Sequence, residues 1–86
     1  MDQEEEMSIE NKVAEIWKAV LTVPAGQEDD TFFELGGESI SAVRLVSRIE
    51  DELDVLVDVG DIFEDDPNLA ALIRTVQAKA AEAEAA

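Results

Sequence analysis

Phe32-Phe33-Glu34-Leu35-Gly36-Gly37-Glu38-Ser39 runs directly into Ile40-Ser41-Ala42-Val43-Arg44-Leu45-Val46, so a glycine-broken loop meets an apolar run at a single serine. Glycine has no Cβ, and the Gly36-Gly37 pair therefore lets the backbone turn sharply and leaves little bulk beside the next residues. Ser39 is expected to be exposed at the start of a helix. Beyond it, Ala42, Leu45, Val46 and Ile49 recur at i, i+3, i+4 and i+7, a stripe wide enough to face a core and the pattern that decides for a helical fold. The helix is predicted over 39–53. Ile40, Val43 and Ser47 form a second row on it. That row is either an exposed apolar strip for a partner or the flank of a central helix packed on most sides, and for Val43 the sequence leaves both open.

Upstream, Ile9, Val13, Ile16 and Val20, with Trp17 and Leu21, predict a first helix over 9–22, opened by Ser8 as N-cap and ended by Pro24 and Gly26. Residues 23–38 read as a long connection without regular structure, polar through Gln27-Glu28-Asp29-Asp30, then pinned to the core by Phe32 and Phe33. Connections of this length are often functional. Downstream, Asp54-Val55-Leu56-Val57-Asp58-Val59 alternates like a strand, but with no second strand to pair with it reads as an extended loop. Ile62 and Phe63 predict a brief third helix stopped before Pro67. The last helix starts near Pro67 or Asn68 and buries Leu69, Leu72, Ile73 and Val76. The expected layout is a disordered acidic segment over 1–8, a folded domain over 9–77 and an Ala/Glu-rich tail over 78–86. The fold class is all-α, a small four-helix bundle of three main helices plus a short third one.

Composition restricts what an exposed serine can do here. The chain has 86 residues, 22 Asp or Glu against six Lys or Arg, a formal charge of −16, and no His, Cys or Tyr. A single domain of this size removes only roughly 60–65% of its surface from water, too little for a deep active-site cleft. Without His or Cys, the usual zinc-ligand sets, Ser-His and Cys-His nucleophile pairs and disulfides are excluded. Nothing in the chain activates Ser39, which reads as a residue that another enzyme acts upon. The negative charge opposes nucleic acid and anionic membranes and favours basic protein partners. No apolar run approaches the ~20 residues of a membrane span, and the acidic start Met1-Asp2-Gln3-Glu4-Glu5-Glu6 is unlike a secretory signal, so a cytoplasmic protein is expected. The acidic cluster from Asp54 to Asp66 fails as a calcium loop: counted from Asp54, the third position is Leu56 and the sixth Val59. It reads as a solvated acidic face. Trp17 reads as core.

Trp17 with Val20-Leu21, then Asp29-Asp30-Thr31-Phe32-Phe33-Glu34-Leu35-Gly36-Gly37-Glu38-Ser39-Ile40, then Arg48-Ile49, and Ile62-Phe63-Glu64 with Pro67 resembles the thiolation domain of non-ribosomal peptide synthetases, the peptidyl carrier proteins. The resemblance covers about residues 9–76. It implies a non-catalytic four-helix carrier in natural-product biosynthesis whose Ser39 receives 4′-phosphopantetheine from coenzyme A, with the arm's thiol holding an aminoacyl or peptidyl group as a thioester. It implies as partners a phosphopantetheinyl transferase, an adenylation enzyme and condensation or other downstream enzymes, met by a monomer. Gly37, Glu38, Ile40, Val43, Arg44, Ser47 and Ile62 are the expected partner surface, with Ile40, Val43 and Ile62 as its apolar contacts rimmed by acidic side chains. A phosphodiester on Ser39 would sit at a helix N-terminus, where free N–H groups and the helix dipole favour an anion. The family more commonly has Asp or His where this chain has Glu38. The chain's own methionine and polar tail suggest a free-standing carrier. Two other readings share these residues: an acyl or D-alanyl carrier of another system, and a non-carrier acidic helical adaptor.

Overall fold

A computed structural model describes residues 9–85; the expected disordered segment over 1–8 and the Ser8 cap lie outside them. Four helices follow one another: α1 (Ile9–Val20), α2 (Ser39–Leu53), α3 (Val59–Asp65) and α4 (Leu69–Ala85), with no strand among the described residues. α1 stops two residues earlier than expected, although the Leu21 N–H still bonds the Trp17 carbonyl at 2.9 Å. The residue before a proline is disfavoured in helix, and Val23 precedes Pro24. α2 and α1 run antiparallel, as two contacts show. Lys12 near the start of α1 meets Glu52 near the end of α2 at 3.9 Å, while Ala19 and Val20 at the end of α1 flank Val43.

The core is apolar throughout: Val13, Ile16 and Trp17 from α1, Phe32 from the long loop, Ala42, Leu45 and Ile49 from α2, Ile62 from α3, and Leu72 and Val76 from α4 are all buried. Val55 and Val57 turn inward from the 54–58 loop while Leu56 between them points out. The strand-like alternation thus reports an extended chain lying across the bundle. α3 begins at Val59, earlier than Ile62 suggested, because Asp58 caps it: its carboxylate accepts the Gly60 N–H at 3.0 Å. Asn68 is the N-cap of α4, accepting the Ala71 N–H at 2.9 Å, so Pro67 stands before the helix rather than in its first turn. α4 continues through the expected tail, and Ala80 still packs against the core.

The long loop is more ordered than its sequence suggests. Thr31 and Glu34 form a reciprocal capping box, with the Thr31 N–H to Glu34 Oε1 at 2.8 Å and the Glu34 N–H to Thr31 Oγ1 at 3.2 Å. The single turn they open is closed by the paired bonds of a Schellman motif, Gly37 N–H to Phe32 O and Gly36 N–H to Phe33 O, both 2.9 Å. Gly36 takes the left-handed conformation this motif requires, with φ +84°. The turn is tied to the α3–α4 corner by the Phe32 N–H to Pro67 O at 2.9 Å and by the Phe33 N–H to the Asp66 carboxylate at 2.8 Å.

Candidate functional site

α2 opens immediately after this turn. Glu38 is its N-cap residue, extended at φ −135° and ψ −179°, and its side chain makes no capping bond. The first intrahelical bond is Ala42 N–H to Glu38 O at 2.9 Å. The N–H groups of Ser39, Ile40 and Ser41 therefore have no acceptor within the helix. Ser39 is exposed as the first residue of α2. An exposed hydroxyl beside three free N–H groups on the positive end of a helix dipole suits an anionic ester on that oxygen.

The neighbours of Ser39 divide into an apolar row and a gap in the acidic surface. Ile40 is 66% and Val43 51% exposed, which resolves the two readings of Val43 in favour of the surface. Ser47 and Arg44 are exposed on the same helix. From Ser39 to Ile49, α2 carries no acidic residue; its acids gather at the far end in Glu50, Asp51 and Glu52. The α2 side of the serine thus lacks the expected acidic rim, whereas Glu34 and Glu38 are exposed in the loop and the Asp66 carboxylate reaches it from the end of α3.

Ile62 does not join this surface. It is 1% exposed and belongs to the core, because the Asp58 cap fixes the phase of α3 so that Ile62 faces inward. The α3 residue that meets the serine loop is Phe63, whose ring stacks on Phe33 at 6.0 Å and 10°. Phe33 is 45% exposed, so only one of the two loop phenylalanines is a core anchor. Phe33 meets Phe32 edge-on at 5.6 Å, and Phe32 meets Trp17 edge-on at 6.4 Å. Every aromatic residue of the chain stands in this one file from core to surface.

Gly37 is fixed by the same file. A Cβ built on it would run into the Phe32 ring, whereas one on Gly36 would meet open space. Gly37→Ala is expected to cost about 1–3 kcal/mol by overpacking against a ring that is itself enclosed. Gly36→Ala should cost roughly 1 kcal/mol, from its left-handed backbone alone. Urea midpoints of the two variants check the order; equal losses would mean that the Phe32 ring yields.

A family model described as "Phosphopantetheine attachment site" matches residues 11–76. Over 74 residues the chain is 36% identical to phosphinothricin tripeptide synthetase PhsC of Streptomyces viridochromogenes, covering 86% of this chain and 7% of that protein. It is 39% identical over 75 residues to pyochelin synthetase PchE of Pseudomonas aeruginosa, covering 87% of this chain and 5% of that protein. The chain thus spans less than a tenth of either relative. The solution structure of an active-site mutant peptidyl carrier protein superposes with a TM-score of 0.69 at 30% identity, covering 84% of this chain and 79% of that one.

Proposed function

Because the chain belongs to the phosphopantetheine attachment site family, as a carrier domain of the peptidyl type, we propose that Ser39 is the residue that receives 4′-phosphopantetheine. The observation that carries this is the placement of Ser39: exposed, first in α2, with the helix N–H groups left open by Glu38. In the transfer, Ser39 Oγ bonds to the phosphorus of coenzyme A's pantetheine-side phosphate, the diphosphate bond breaks and adenosine 3′,5′-bisphosphate leaves. The hydroxyl proton goes to a base of the transferase. The attached group supplies a thiol that holds an aminoacyl or peptidyl cargo as a thioester. The chain's own part is to present the hydroxyl, to favour the phosphodiester anion through the N–H groups of Ser39, Ile40 and Ser41, and to offer Ile40 and Val43 as apolar contacts.

The role is non-catalytic, and the partners are a phosphopantetheinyl transferase, an adenylating enzyme and condensing or tailoring enzymes, met in turn in the cytoplasm. No helix among the described residues is long and apolar enough to cross a membrane. A surface visited in turn by several enzymes needs fast exchange more than tight binding, and a small half-exposed apolar row fits that need.

The test is incubation with coenzyme A, magnesium and a broad-specificity phosphopantetheinyl transferase, followed by intact mass and sequencing of the modified peptide. One added group on Ser39 is expected; its absence, or its presence on Ser41 or Ser47, sinks the reading. In the same assay, Val43→Asp should raise the KM for the carrier by roughly tenfold, the equivalent of ~1.4 kcal/mol of lost apolar contact, with helicity unchanged. A collapse of the circular dichroism signal instead would make Val43 a structural residue.

A further inference from the structure

Between the last turn of α1 and the middle of α2 lies an open groove of about 380 Å³, lined by Ala19, Val20, Val43, Arg44, Ser47 and Arg48. Two features set it apart from the rest of the surface. First, it starts on the same side of α2 as Ser39. Val43 and Ser47 stand four and eight residues beyond the serine, roughly 6 and 12 Å along the axis on the face that i, i+4 spacing repeats. An arm built from a pantoyl unit and two amide-linked segments is longer than that distance. Second, its charge is reversed. In a chain of 22 acidic and six basic residues, the lining holds two guanidinium groups and no carboxylate. Arg48 is held by Glu52 at 2.8 Å, while Arg44 has no ion pair among the described residues.

We propose that this groove receives the acyl end of the arm carried on Ser39, and that it prefers an acyl or aminoacyl group ending in a carboxylate. The inference rests on the carrier reading above. A tethered group samples the groove at an effective concentration in the millimolar range, so even weak contacts populate the bound form. Val20 and Val43 cover the methylene part of the cargo, and Arg44 meets the carboxylate in the charge-assisted geometry that guanidinium favours. Ser47 adds a hydroxyl donor to the groove's lining. The site is shallow, so the cargo is rested rather than enclosed and is released readily to the next enzyme.

The experiment compares the ¹⁵N-labelled carrier loaded by a broad-specificity transferase with succinyl-coenzyme A or with butyryl-coenzyme A, each product verified by mass. The two cargoes have the same carbon count and differ in the terminal carboxylate. Amide shifts at Ala19, Val20, Val43 and Ser47 are expected with the succinyl form, reflecting roughly threefold higher occupancy than the butyryl form, the advantage of an exposed charge-assisted pair. Arg44→Gln should remove the difference and Arg44→Lys should retain part of it. Shifts confined to residues next to Ser39 in both forms, or a perturbation centred on Phe33 and Phe63, overturn the proposal. So does a succinyl response that survives Arg44→Gln. Failure of either coenzyme A derivative to add mass at Ser39 would instead overturn the carrier reading, and the groove's role with it.

Discussion

Ser39→Ala is expected to abolish phosphopantetheine loading completely while leaving stability within about 0.5 kcal/mol of the parent. The dissociation follows from where the serine stands. The N-cap is Glu38, not Ser39, so removing the hydroxyl deletes no capping bond, and no hydrogen bond to the Ser39 side chain is made among the described residues. The side chain is exposed, so no cavity opens, and alanine is the better helix former. Intact mass after transferase treatment, beside a urea unfolding curve, reads both quantities. Residual addition in the variant would mean that Ser41 or Ser47 accepts the group. A loss of several kcal/mol would mean that Ser39 is structural, and the absence of loading would then say nothing about attachment.

Much of this site was legible in the sequence because two strong signals meet there. The i, i+3, i+4, i+7 stripe from Ala42 fixed the inward face of α2, and the break at Gly36-Gly37 placed its start at Ser39, where the helix begins. The loop before it shows from its apolar residues only a pinned connection, although Thr31-Phe32-Phe33-Glu34 has the spacing of a capping box. A single turn has no apolar period to advertise it. The reason for the glycine pair was also only half visible. Gly36 answers to backbone conformation, which local sequence expresses, but Gly37 answers to a ring that arrives from five residues upstream.

Ile62 failed for a related reason. A seven-residue helix spans barely two turns, too few for apolar periodicity to fix its phase, and an isoleucine beside a phenylalanine leaves either one inward. The Asp58 cap is local, but the Asp66 bond to the Phe33 N–H that ties the end of α3 to the loop spans 33 residues and exists only in the fold. The groove beside Arg44 was beyond reach for the same reason. Its two walls belong to helices that pair antiparallel only in the folded state.

Phe32→Ala is expected to be the most destabilising truncation in the loop, at about 3–5 kcal/mol. Small domains of this length are held by only about 5–10 kcal/mol in total, so the variant should be largely unfolded a little above room temperature. The size of the effect comes from position. Phe32 is fully buried, edge-on to Trp17 on one side and Phe33 on the other, and it fills the space over Gly37. Its N–H bond to Pro67 O survives truncation, so the loop keeps one tie while losing its apolar anchor. Phe33→Ala serves as the contrast: at 45% exposure it loses ring contacts but leaves no closed cavity, and about 1 kcal/mol is expected. Trp17 is the only tryptophan and is itself buried, so its emission reports the core directly and should shift red in Phe32→Ala before any denaturant is added. The functional consequence separates anchoring from attachment. Even at a temperature where Phe32→Ala remains folded, the turn that sets Gly37 and Glu38 is loosened, and loading of Ser39 should slow although every atom of the serine is unchanged. A variant that lost stability by the expected amount yet loaded at the parental rate, when folded, would show that the transferase reads α2 alone and that the capped turn before it serves the fold only.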